Sequence, residues 1–247
     1  MAAYFNQSKL YQFHVANLRS IQLALDNTAL SSRRVIAEEN TSAIESFTRL
    51  YAFLVGAWAE TRLQKLINEN GAFNETDKQK IISENTQLNQ WVKAVELSFR
   101  SYYKLPNAKV DVTTLPHTAF YRYNTVIKLI ENDLKSIIEV RNKLAHGQWV
   151  YPFNSDCTKV EQEKFALINR ENLLSLQYKR ALISVIAEMV HDLVVSLPTF
   201  ERDFDKHYKQ IVNTKNNLNN RDYEKYKTIL IAKRQRGISL RRKHRVM

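Results

Sequence analysis

Residues 50–59 read LYAFLVGAWA, ten positions without a charge in a chain whose charged residues make up 25%. A helix lying on a protein surface keeps one polar face, so a helical stretch that is apolar nearly all round belongs to an interior. The stretch is part of a run from about Arg33 to Asn70 that stops at Gly71, a residue free to adopt the left-handed backbone that closes helices. This reading puts one long helix at the centre of a helical bundle and requires the remaining chain to supply the helices around it.

The 247 residues include only four glycines and four prolines, too few breakers for a turn-rich fold. Apolar residues at helical spacing supply the other elements. Leu10, Phe13, Leu18, Ile21 and Leu25 mark a first helix, with Asp26 to Ser32 reading as a break. A third helix starts near Asn74 or Thr76 and passes through Trp91, Val95 and Phe99 to about Lys104, after which Pro106 and Pro116 bracket a loop. The fourth runs from about Thr118 to His146 and ends at Gly147, and the fifth from about Glu171 to Leu197, with Pro198 bending or restarting the chain. A last helix covers about Phe200 to Asn213, followed after a polar break by a further segment over 222–235. Between the fourth and fifth helices Trp149, Tyr151 and Phe153 alternate ahead of the turn signal Asn154-Ser155-Asp156, which predicts a short β-hairpin. The expected fold is all-α: about five to six long antiparallel helices, a short β-hairpin after the fourth, and a basic C-terminal extension. Residues 1–213 form the bundle in this reading, and 214–247 a C-terminal helix and basic tail.

Several function classes drop out. Gly56, Gly71, Gly147 and Gly237 lie too far apart to build a glycine-rich phosphate cradle. The lone Cys157 makes no internal disulfide and no multi-cysteine metal site, and the histidines lack metal-ligand spacing, so neither metal nor cofactor is expected. No run approaches the ~18 to 20 uncharged apolar residues of a membrane span, and the first residues lack the basic-then-apolar pattern of a secretory signal. A cytoplasmic setting without membrane contact is the resulting expectation.

The formal net charge of +12 is unevenly placed. Lys233, Arg234, Arg236, Arg241, Arg242, Lys243 and Arg245 all fall in the last fifteen residues, which hold no acid; without those seven charges the preceding chain carries only +5. Such a density neutralises phosphates and releases counterions, pointing to RNA, DNA or another anionic surface, with a solvated tail as the alternative.

Residues 139–151, EVRNKLAHGQWVY, interrupt the apolar pattern of the fourth helix. At about 100° per residue, with Leu134 as zero, Ile127, Ile130, Ile137, Ile138 and Leu144 fall between about −80° and +40°, and Arg141 falls among them at about −20°. Asn142 and His146 lie on the flank, near +80° and +120°. A guanidinium keeps its proton, and burying it unpaired costs several kcal/mol, so Arg141 either pairs with a carboxylate, reaches out at the helix end, or lines a cleft where an anion binds. Glu60 is the candidate carboxylate, since on the second helix it shares a direction with Phe53, Gly56, Leu63 and Ile67 to within about 60°. Lys143 is a supporting cation beside it. Trp149 and Tyr151, just past the motif, are placed either to stack bases or to pack the hairpin.

Arg141-Asn142-Lys143-Leu144-Ala145-His146 resembles the R-x4-H signature of the HEPN superfamily, a set of α-helical bundle proteins, and Asn142 matches the polar residue common after the arginine in its nuclease members. The motif's place near the end of a long core helix in a glycine-poor chain is also similar. The resemblance in detail covers about 139–149, with a compatible helix order over roughly 1–212. It implies a metal-independent endoribonuclease with a composite cleft at a homodimer interface. On that resemblance Arg141 holds the scissile phosphate, His146 acts as general base or acid, and Asn142 orients the histidine or the phosphate. RNA is then the partner, tRNA or mRNA the substrate, and an antitoxin or defence-system subunit a further partner. Two other readings stay open: a non-catalytic RNA-binding module, and a helical protein-interaction module in which Arg141 and Glu60 form a structural pair.

Overall fold

The structure, a computed structural model, describes the backbone of residues 2–105 and 108–246, and side chains from Lys9 to Arg241 within that span. The chain is all-helical. Its elements are α1 (Ala2–Ala37), α2 (Thr41–Ile67), α3 (Glu75–Ile82), α4 (Gln87–Tyr102), α5 (His117–Leu129), a π turn (Ile130–Leu134), α6 (Lys135–Ala145), α7 (Gln162–Asn169), α8 (Leu173–Val195), α9 (Leu197–Asn219) and α10 (Tyr223–Val246). No helix of the described residues is long and apolar enough to cross a membrane.

Helix α2 takes the central place that its apolar stretch predicts, packing against α1, α6, α8 and α4. Tyr51, Ala52, Val55, Trp58, Ala59, Leu63 and Ile67 are all buried along it. The remaining core comes from the residues expected of each helix, including Trp91, Val95 and Phe99 of α4 and Leu173, Ile183, Ile186 and Val190 of α8. Each such side chain contributes roughly 1.5–3 kcal/mol by leaving water, which is what holds otherwise marginal helices in register.

Polar residues mark helix boundaries less faithfully than apolar periodicity predicts. The break expected over Asp26 to Ser32 is absent: α1 runs straight through, because Thr28 and Ser32 lie on the same buried face as Leu25 and Ala29, and the Ser32 hydroxyl donates to the Thr28 carbonyl at 2.7 Å. The chain turns instead at Glu39, whose φ of +55° lies in the left-handed region, while the Asn40 amide reaches back to the Val35 carbonyl at 3.1 Å. Asn40 then caps α2 by accepting from the Ala43 amide at 3.2 Å. Helix α2 ends at Ile67, short of Gly71, which serves the following turn with φ +79°. The expected third helix is two, since Thr86 caps a new start by accepting from the Asn89 amide at 3.1 Å.

The predicted hairpin after the fourth helix does not form. Among the described residues there is no strand, only an isolated antiparallel bridge between Phe153 and Val160. Three local features stop a ladder from growing. Pro152 has no N–H to donate, the Asn154 side chain takes the Thr158 and Lys159 amides at 2.9 and 3.1 Å, and Lys143 donates to the Phe153 carbonyl. The sequence after this loop forms the short helix α7.

Downstream, Ser196 caps α9 with Pro198 in the first turn, so the chain restarts there as Pro198 predicts. Helix α9 continues past Asn213 to Asn219, and α10 carries the basic residues in helical backbone to Val246 instead of ending near 235. Lys, Arg and Gln are good helix formers, and the Arg236, Ser239 and Arg241 side chains each return a hydrogen bond to the carbonyl four residues earlier.

Candidate functional site

Helix α6 presents Ile137, Ile138, Val140 and Leu144 to the core, and Arg141 emerges between them. The π turn ahead of α6 inserts a residue into the helical path, yet Ile130 and Leu134 both remain fully buried. Directions counted from Leu134 into α6 are therefore unaffected by it.

Arg141 reaches its place because α2 offers a glycine there. A Cβ built on Gly56 would lie 2.4 Å from Arg141 Cβ, 2.8 Å from its Cγ and 3.2 Å from the Ile137 carbonyl oxygen. The two helices thus approach backbone to side-chain stem, and the arginine's methylenes cross the bare surface of α2. One turn along α2, the Glu60 carboxylate accepts a hydrogen bond from Arg141 Nη2, while Nη1 donates to Asn142 Oδ1 at 3.1 Å. Arg141 Nε is enclosed and has no partner among the described residues. The side chains are 27% and 36% exposed, so the pair sits at the rim of the core and is neither sealed nor free.

His146 occupies the C-cap of α6, its amide donating to the Asn142 carbonyl at 3.3 Å. Gly147 follows with φ +74°, and Gln148 donates back to the Lys143 carbonyl at 3.0 Å, which ends the helix immediately after the histidine. The His146 ring is exposed, and no hydrogen bond holds it among the described residues. Within a single protomer, Arg141 and His146 leave α6 about 140° apart, and neither lines the cleft between α6 and α7 or those between α1, α2 and α8.

The chain matches no family model, no curated protein and no solved structure. A guanidinium at the rim offers N–H donors to a phosphate, and an uncommitted imidazole nearby can move a proton.

The other sequence-selected residues are distributed as follows. Lys143 donates to the Phe153 carbonyl and pairs with Glu161 at 3.0 Å, which ties the loop after α6 to the start of α7. Trp149 donates through Nε1 to the Leu144 carbonyl at 3.0 Å, with its ring against the core. Tyr151 stays 55% exposed, one face stacked on Phe165 at 5.8 Å. On α10, Lys233, Arg236 and Arg241 are exposed, and Arg234 pairs with Glu38 of α1 at 2.9 Å. The side chains of Arg242, Lys243 and Arg245 lie outside the described residues.

Arg49 was not selected from the sequence, although it supports the whole loop. It is 6% exposed and donates to the Trp149 carbonyl at 3.0 Å, the Ile168 carbonyl at 2.8 Å and the Asn169 side chain, with Glu45 at 3.3 Å. Burial pulls its guanidinium below the ordinary range, and Glu45 opposes that pull. The signal was available by the logic used for Arg141: Arg49 directly precedes the apolar run and lies within about 60° of Ala52 and Gly56 around α2. Replacing Arg49 by methionine keeps the stem and strands the carbonyls, at ~1–3 kcal/mol per unsatisfied group where water does not enter. The expected loss is about 2 kcal/mol, read as a shift of the urea midpoint with unchanged slope.

Proposed function

We propose that the chain is an RNA-cleaving enzyme of HEPN type, acting as a homodimer through Arg141, Asn142 and His146. The observation that carries this reading is the state of the motif: Arg141 is held at the core rim with Asn142 on its guanidinium, while His146 ends the same helix with an exposed, uncommitted ring. RNA carries its own nucleophile, the 2′-OH, so cleavage needs only proton transfer and stabilisation of charge on the phosphorus oxygens. Histidine supplies the first and arginine the second.

In this reading His146 takes the proton from the 2′-OH as that oxygen attacks phosphorus, and the 5′ oxygen leaves, taking up a proton from water to become a hydroxyl. The products are a 2′,3′-cyclic phosphate and a 5′-hydroxyl. The 140° divergence within one protomer is met by a two-fold axis that sets the α6 ends of two copies face to face, so each phosphate meets groups from both. The described helices serve as the bundle that carries the motif, with 1–213 as its body and the basic α10 as an RNA-binding arm working in the cytoplasm. An antitoxin or defence-system subunit is the class of protein proposed to control it.

The Arg141–Glu60 ion pair favours a second reading, a non-catalytic module in which the arginine serves structure alone. A substrate test separates the two, since a non-catalytic module leaves every RNA intact. An RNA cut at a mapped site is remade with 2′-deoxyribose there. The proposal expects cleavage at that bond to vanish while the cut RNA ends in a cyclic phosphate; cutting of the deoxy bond contradicts the mechanism.

A further inference from the structure

On the far side of α2 from Glu60 lies a groove whose walls are α1 and α8. Counting from Gly56, Trp58 and Arg62 lie about 200° and 240° around the helix, opposite the Arg141 contact. Two clefts of about 510 and 690 Å³ adjoin along it and share Gln22, Asp26, Trp58 and Arg62. From Tyr51 to Lys65 the floor follows α2 for about 21 Å, which is the length of a four-turn helix.

The floor is cationic and short of acid. Arg62 and Arg180 both lie over the Trp58 ring, at 5.1 and 5.9 Å from its centroid. Arg19 and Arg33 flank them from α1, and Lys65 at one end is paired with Glu69 at 3.0 Å; among the described lining residues Asp26 is the one carboxylate, and Arg180 already holds it at 3.0 Å. Arg62 differs from the other partly buried arginines that lie against the core helices. Arg49, Arg100, Arg141 and Arg180 each have a carboxylate within ion-pair distance, while Arg62, among the described residues, donates only to the Ser184 hydroxyl at 3.3 Å. That hydroxyl in turn donates to Glu188 at 2.9 Å. Burial draws the Arg62 guanidinium below its ordinary range, and Glu188 opposes this from a distance. A desolvated guanidinium with donors to spare is stabilised by an arriving anion.

The lip of the groove is aliphatic. Leu23 and Leu30 of α1 are 62% and 60% exposed, and seven residues apart they share a direction to within about 20°. Their spacing matches the seam along which one helix packs on another. The aromatic rings beneath, Tyr51, Trp58 and Trp91, are 1%, 4% and 1% exposed, so no ring face is open to stack a nucleic-acid base.

We propose that this groove is a docking site for an acidic amphipathic helix of a partner protein, about four turns long. Its leucine-type residues lie against Leu23 and Leu30, and its carboxylates pair with Arg62 and the arginines beside it. The occupant follows from the charge of the floor, the heptad spacing of the lip and the covered aromatic rings. This site is independent of the RNA-cleaving reading, since it uses none of Arg141, Asn142 or His146.

The test is a displayed library of 18-residue helix-forming peptides with Glu, Asp, Gln, Lys, Leu or Ala at the outward positions. It is selected on the full chain and counter-selected on a Leu23→Glu/Leu30→Glu variant, whose substituted side chains are exposed and whose melting temperature is expected to stay within a few degrees. The expected winners carry Glu or Asp and Leu three and four residues apart. One of them, made synthetically with a fluorophore, should bind Arg62→Gln and the double variant at least tenfold more weakly than wild type. Its Glu→Gln analogue should lose at least as much. Failure of the selection to yield an acidic helix that discriminates wild type from the double variant overturns the proposal. So does displacement of the peptide by a uridine 12-mer whose own binding falls with Arg62→Gln, which would give the groove to nucleic acid.

Discussion

An Arg141→Ala chain is expected to cut RNA about 10²–10³-fold more slowly than wild type, the cost of losing one preorganised donor to a developing oxyanion. Because the Arg141 stem packs on Gly56, the thermal comparison uses Arg141→Met, which keeps the stem and should cut as slowly while its stability barely changes. The Arg141–Glu60 pair is 27% and 36% exposed, and partly solvated pairs of this kind contribute about 0–1 kcal/mol. For a chain of this size that is roughly 2–4 °C in melting temperature. The contrast between a large kinetic loss and a small thermal one separates a phosphate clamp from a structural ion pair. A variant that melts much lower and cuts at the wild-type rate assigns Arg141 to structure.

Gly56→Ala should instead carry a large thermal cost. Alanine is the better helix former by ~1 kcal/mol, so at an ordinary helix position the substitution stabilises. Here the new methyl would stand 2.4 Å from Arg141 Cβ, an atom fixed to the backbone of α6 that cannot swing away. The helices must separate, and overpacking of this kind costs ~1–3 kcal/mol or more after any propensity gain. We expect a net loss of about 3 kcal/mol and a melting temperature lower by roughly 6–12 °C. Cleavage should fall as well, because Arg141 rides on the displaced helix. A more stable Gly56→Ala chain would mean that α2 and α6 do not approach as closely as described.

Apolar periodicity was enough to find the central helix and most of the core, because burial repeats every turn and survives local irregularity. It failed where polar side chains bond within their own segment. Thr28 and Ser32 looked like a break because they are polar, although each hides on the inner face of α1. Trp149, Tyr151 and Phe153 alternate like a strand, yet Asn154 and Lys143 take the groups a ladder would need. Counting directions placed Arg141 on the apolar face and Glu60 opposite it, and the structure joins them. The count could not show that Gly56 makes room for the arginine, since that depends on which helix crosses α2 at that level. Arg62 escaped notice for a related reason: only the α1 and α8 walls turn an unremarkable arginine into a desolvated one.

The proposed cleavage requires Arg141 and His146 to act together on one phosphate. The most direct measurement incubates the purified chain with total tRNA in EDTA, beside Arg141→Ala and His146→Ala variants of verified fold, and maps the ends of every fragment. Wild type should yield fragments with 2′,3′-cyclic phosphate and 5′-hydroxyl ends, and His146→Ala, lacking its general acid–base group, should cut about 10²–10⁴-fold more slowly. Intact tRNA with the wild-type protein, or variants that cut as fast as wild type, would contradict it.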